Sequence, residues 1–168
     1  GTEYNCAGGA TPWGSWLSCE ECFTNPGTTF EMNTVVKREQ RHGYIFEVSA
    51  NNPKSSKPIP LKEMGRFEHE AAAVDPVSGA IYLTEDKHRS LLYRFIPNTL
   101  GKLIDGGKLQ ALSVSKKPSF DTRNWQTTSM NKDEWHDVEW IDLDNVDSDV
   151  NDLRLRGFEL GASRFARG

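Results

Sequence analysis

Three acidic positions and one cysteine are the residues of this chain best suited to chemistry. Glu20-Glu21 follows the tract Asn5–Cys19, His69-Glu70 opens an apolar stretch, and Glu85-Asp86 closes another. Each stands beside turn residues or at a strand end. Strand ends on one rim of an all-β fold can converge on a shared site, and hard cations such as calcium take several carboxylate oxygens. A solvated surface is the plain alternative for any acidic pair. It is weakest for Glu85, because Ile81, Leu83 and Glu85 fall on one face of an alternating strand. An acid that continues an apolar face is costly unless paired or metal-bound. Cys6 sits in Asn5-Cys6-Ala7-Gly8-Gly9, where adjacent glycines let the backbone approach a ligand closely. A thiolate there suits iron better than calcium, whereas a packed small hydrophobe is the bland reading.

Other constellations carry less. Cys19 and Cys22 have CxxC spacing, but no matching second pair of zinc ligands and no strand–CxxC–helix context accompany them. Asp142–Asp152 holds five Asp residues in eleven positions without the Gly and terminal Glu of an EF-hand, and reads as a solvated acidic loop. His136-Asp137-Val138-Glu139 lacks HExxH spacing and reads as strand entry. His42, His88, Asp121 and Arg123 show no informative spacing. There is no GxxxxGK[ST] phosphate loop and no GxSxG elbow.

The elements that must position these groups are strands. Gly43–Ser49, Glu70–Asp75, Ala80–Thr84, Ser90–Ile96, Lys108–Val114 and Val138–Leu143 alternate apolar and polar residues between turn signals. Pro76-Val77-Ser78-Gly79 supplies a turn, and Asn124–Asp133 reads as a loop. Four consecutive strands from residue 70 to 114 predict an antiparallel meander. That is one blade of a β-propeller, or equally half of a sandwich or barrel. Gly43–Ser49 and Val138–Leu143 are expected in neighbouring blades.

Composition bounds the function class. With 36% hydrophobic and 26% charged residues the chain is globular, and 168 residues suffice for a core. A net charge of -4 offers no electrostatic reason for nucleic acid or an anionic membrane as partner. No apolar run reaches bilayer-spanning length. Neither a signal peptide at Gly1-Thr2-Glu3-Tyr4 nor a closing signal at Phe165-Ala166-Arg167-Gly168 is present, so both ends are expected to be fragment boundaries.

The tract NCAGGATPWGSWLSCEE (5–21) resembles the opening hallmark of the PhoX alkaline phosphatases. GRFEHEAAAVDPVSGAIYLTED (65–86) resembles their second hallmark, and LLYRFIPNTLGKLIDGGKLQAL (91–112) the region after it. GASRFARG (161–168) is similar to a later family segment, ending before its glutamate. Four matches in family order make the resemblance specific. It implies an all-β, six-bladed propeller of which residues 1–168 hold about two to three blades. It also implies a calcium- and iron-dependent phosphate monoester hydrolase, periplasmic or secreted, without nucleic-acid or membrane-inserted partners.

Carried over residue by residue, the resemblance makes Cys6 a metal ligand. The glutamate ligands come from Glu21, Glu85, Glu70 and Glu20, in that order of preference, and Arg167 contacts substrate phosphate. Cys22 departs from the pattern near the metal motif and is expected to pack. The later blades and their ligands lie outside residues 1–168, so this chain alone is expected to be inactive. Two alternatives stand beside this reading. One is a non-catalytic, calcium-stabilised propeller serving as a binding or structural module, and the other is a cytosolic CxxC zinc or redox protein.

Overall fold

A computed structural model describes residues 1–51 and 57–167. Gly168, the last residue of the C-terminal resemblance, lies outside the described residues. Where apolar and polar residues alternate, the chain forms strands that bury alternate side chains. β1 is Asn5–Ala10, β2 Ser15–Glu20, β3 Gly27–Glu31, β4 Thr34–Arg38 and β5 Ile45–Ser49. β6 is His69–Val74, β7 Ile81–Glu85, β8 Tyr93–Pro97, β9 Gly107–Val114 and β10 Val138–Asp142. One short helix, α1, spans Leu153–Glu159.

β7 shows the logic most plainly. Ile81, Leu83 and Glu85 are fully buried while Tyr82 is exposed, as the period of two requires. The turn before it closes through Asp75, whose Oδ1 accepts the Val77 N–H at 3.0 Å and whose backbone N–H reaches Ala80 O at 2.9 Å. β6 to β9 then run as the expected antiparallel meander.

The placing of β10 is a correction. It does not join another blade but pairs with β9 as a fifth strand, from Val138↔Val114 to Asp142↔Gln110. Alternation encodes that Val138–Leu143 is extended, but not which edge it finds after the excursion of residues 115–137.

The second sheet has the order β1-β2-β5, and β3-β4 form a separate hairpin. The expected strand at Gly43–Ser49 begins at Ile45 and belongs to this sheet. β1 to β4 escape a reading by alternation, because Gly, Ser, Thr and Cys mask the period. The β3–β4 turn is carried by Met32 and Asn33, at φ 46° and 65°, a left-handed pair that suits a two-residue hairpin. α1 likewise escapes a reading by periodicity, being only seven residues long, with Gly157 inside it. A Cβ at Gly157 would stand 2.5 Å from Leu91 Cδ1, so the glycine sets how closely α1 packs.

One core joins the sheets. Leu17 and Ile45 from the first meet Ile81, Leu83, Phe95 and Leu109 from the second, with Phe67 and Met64 between. Each fully buried side chain of this size contributes about 1.5–3 kcal/mol. Arg66 pins the surrounding loops from inside. Fully buried, it donates to the carbonyls of Thr24, His42 and Ser148 and lies 3.8 Å over the Phe23 ring. The Asp142–Asp152 acids are largely engaged rather than simply solvated. Asp147 pairs with Arg41 at 2.8 Å and accepts the Tyr44 hydroxyl at 2.6 Å, while Asp152 pairs with Arg156.

The chain is therefore all-β with little helix. Among the described residues the strands close into neither a barrel nor a ring.

Candidate metal centre

β1 and β6 meet backbone to backbone. A Cβ at Gly9 would lie 2.1 Å from the Ala72 carbonyl oxygen, so only glycine allows this approach. Gly9 thus admits β6, and Gly8 the Leu17 carbonyl of β2, where the sequence suggested a ligand. Both strands carry an irregularity at this point. β1 shifts register between Asn5 and Gly8, and β6 shifts between His69 and Ala72. Bulges re-aim side chains out of strict alternation, and here the two bulged segments hold Cys6 and Glu70.

Cys6, Glu21 and Glu70 come together, each offering a ligand atom within 4.8 Å of the others. The Cys6 thiol lies 3.9 Å from Glu70 Oε1. Glu21 comes from the end of β2, where its backbone N–H is fixed to Tyr4 O at 3.0 Å. Asp86, the residue after β7, completes the neighbourhood. The Glu21 carboxyl is pushed up, chiefly by its hydrogen bond to Asp86, and Cys6 is pushed up chiefly by Glu21. Asp86 itself is held down to about 2, first by Arg167, whose guanidinium grips both carboxylate oxygens. Three acids and a thiol therefore crowd one place, with Arg167 at its margin. Asp86 was legible only as half of the Glu85-Asp86 pair; its partnership with Arg167 spans 81 residues.

The structure does not bring the other expected ligands here. Glu20, adjacent to Glu21, points to the opposite side and is fully buried. Its Oε1 accepts from Glu3 N and His42 Nδ1, both at 2.8 Å. Its Oε2 accepts from Gly43 N and Tyr44 N at 2.8 and 3.1 Å. With both oxygens occupied, this carboxylate ties the N-terminus to the β4–β5 connection.

Glu85 is also fully buried, on the same face of β7 as Ile81 and Leu83. It accepts the Tyr93 hydroxyl at 2.8 Å on Oε2, while Oε1 has no hydrogen-bond partner and faces Arg154 Nη1 at 3.6 Å. Desolvation pushes its carboxyl up to about 7. An acid raised in this way holds its proton more tightly in the folded chain. Its contribution to stability is full below the ordinary value of 4.5 and is lost as pH rises towards 7. In the full-length protein, the melting temperature of Glu85→Gln should therefore gain on the parent between pH 5 and pH 8. A difference that stays constant over that range would refute the assignment.

The remaining candidates are structural. His69 is buried and pushed down to about 3 by desolvation, so it is neutral and donates through Nε2 to Gly65 O at 3.0 Å. Cys19 and Cys22 are free buried thiols, each pushed up to about 12 by burial, which makes them poor thiolates. His136 lies beside Glu134 and Phe120.

A family model described as alkaline phosphatase PhoX matches residues 1–168. The chain belongs to the PhoX alkaline phosphatase family. A solved structure, Pseudomonas fluorescens PhoX in complex with vanadate, a transition state analogue, matches with TM-score 0.64 and 22% identity. At that identity the likeness is one of fold. The match covers 99% of this chain and 37% of that one, so the chain spans little more than a third of the solved PhoX. No curated protein matches. Among the described residues no helix is long and apolar enough to cross a membrane.

Proposed function

We propose that this chain supplies part of the metal site of a PhoX-type phosphatase that hydrolyses phosphate monoesters to an alcohol and inorganic phosphate. The observation that carries the reading is the convergence of Cys6, Glu21 and Glu70 at two facing strand irregularities. Family membership adds the reaction class. The two sheets would be parts of neighbouring propeller blades, and the enzyme would work outside the cytoplasm.

The donor set fits a cation. Glu21 raises the proton affinity of the Cys6 thiol, and Asp86 and Glu70 raise that of Glu21; such groups repel as anions, and a bound cation would remove that repulsion. One thiolate with carboxylates suits a site shared by iron and calcium. When bound, such ions supply charge neutralisation for the phosphoryl oxygens and orient the attacking water.

The chain's own residues have distinct tasks. Cys6, Glu21 and Glu70 would hold the ions. Asp86 grips Arg167 and so sets the guanidinium at the margin of the acidic group, where it can donate to a phosphate oxygen. No side-chain nucleophile is called for.

The test is metal content measured with turnover. Full-length protein should contain both iron and calcium and hydrolyse p-nitrophenyl phosphate, and a calcium chelator should abolish the rate. Calcium without iron, together with no hydrolysis, would favour a calcium-stabilised binding module instead. A rate indifferent to chelation would exclude the metal reading.

A further inference from the structure

Next to the acidic group, and sharing Asp86 and Arg167 with its margin, lies a pocket of about 460 Å³, also lined by Lys87, His88, Arg89, Arg154 and Leu155. Four of these side chains are permanently cationic and one is acidic. The single acid is already taken, since Asp86 is gripped by Arg167. Lys87 pairs with Glu68 at 2.7 Å. Arg154 hydrogen-bonds Asn151 and faces the buried Glu85 at 3.6 Å, but its Nε is buried without a partner.

Arg89 stands out. It is exposed, and among the described residues it makes neither a hydrogen bond nor an ion pair. Its backbone is left-handed, with φ 66°, a conformation that non-glycine residues adopt where the surroundings impose it. The surroundings here are a bridge between Ser90 and Phe165, in which Phe165 N donates to Ser90 O at 2.9 Å. That bridge brings Arg89, from the middle of the chain, and Arg167, from its end, to the same pocket.

We infer that this pocket binds a second anionic group on the leaving-group side of the ester. It would favour substrates that carry a further phosphate over esters of uncharged alcohols. The pocket carries more positive charge than its own acid neutralises. The charges converge in a concave space, where their field is focused. And Asp86 and Arg167 belong both to the pocket wall and to the margin of the acidic group. An ester phosphate at Arg167 would therefore leave its substituent facing Arg89, Lys87 and Arg154. Arginine suits this task because its planar fork meets phosphate oxygens in pairs.

The inference rests on the proposed function for the orientation of the ester, but the pocket can be tested without turnover. Two non-hydrolysable probes, methylphosphonate and methylenediphosphonate, would be titrated calorimetrically against the full-length protein. Because a diphosphonate also chelates metal ions, the change in the ratio of their dissociation constants on substitution reads the second anion's contact with the pocket. The parent should bind the diphosphonate at least about tenfold more tightly, and Arg89→Gln should lose about tenfold of that ratio. Lys87→Gln should lose a similar part, and Arg89→Lys, which keeps the charge but not the paired donors, should lose less than Arg89→Gln. Melting curves would confirm that each variant is folded.

A ratio in Arg89→Gln and Lys87→Gln equal to that of the parent would overturn the inference, as would a parent with no preference for the diphosphonate. A protein that failed to hydrolyse p-nitrophenyl phosphate would refute the proposed function yet still yield this ratio, so the two readings fail separately.

Discussion

Replacing Cys6 by serine in the full-length protein is expected to strip iron from the site and to cut p-nitrophenyl phosphate hydrolysis by at least about 100-fold. Residues that merely support a metal ligand already cost about 10- to 100-fold when removed, and a ligand costs more. Serine is close in size, so the change isolates the sulfur. It exchanges a soft donor for a hard and weakly acidic one, which should weaken iron more than calcium. The fold should barely register the change, because Cys6 is exposed in a bulged stretch of β1 rather than packed in the core. Iron measured by mass spectrometry, alongside the melting temperature, makes the distinction. Full iron occupancy in Cys6→Ser would remove Cys6 from the ligand set. Cys19→Ser is the useful contrast, since Cys19 is fully buried and a hydroxyl there should cost stability first.

Glu20→Ala should have the opposite signature, destabilising the protein by about 3 kcal/mol or more through structure alone. The loss strands three backbone N–H groups, those of Glu3, Gly43 and Tyr44, and takes from His42 its 2.8 Å partner. Buried donors left without acceptors bear a full desolvation cost, and water cannot replace a carboxylate that is wholly enclosed. Denaturant unfolding of the full-length protein would show a lower midpoint at unchanged slope. Glu21→Gln, one residue along, should leave the midpoint nearly in place and instead reduce bound metal. If Glu20→Ala kept its stability and lost metal, the roles of the two neighbours would have to be exchanged.

These two outcomes turn on a distinction that Cys19-Glu20-Glu21-Cys22 does not display. Successive residues at a strand end point to opposite sides, so one of two adjacent glutamates meets the interior and the other the site. Which is which depends on where β2 ends and on what lies behind it. His42, Gly43 and Tyr44 lie behind it, more than twenty residues away.

Local and repetitive features were legible in the order of residues. Alternation revealed the meander from β6 to β9, and it put Ile81, Leu83 and Glu85 on one buried face, because a period of two is a property of neighbouring residues. The order of the four hallmark tracts was enough to indicate the family, which the match over residues 1–168 establishes. Where those residues meet followed from long-range packing. It paired β10 with β9, and it turned Gly9 into a seat for β6. It also separated Glu20 and Glu85, both buried, from Glu21 and Glu70, which meet Cys6. The reason is physical: Cys6 and Glu70 are 64 residues apart, and Asp86 and Arg167 81 apart. Contacts of that separation are set by which strand edges pack and where bulges interrupt them. No periodicity along the chain records either.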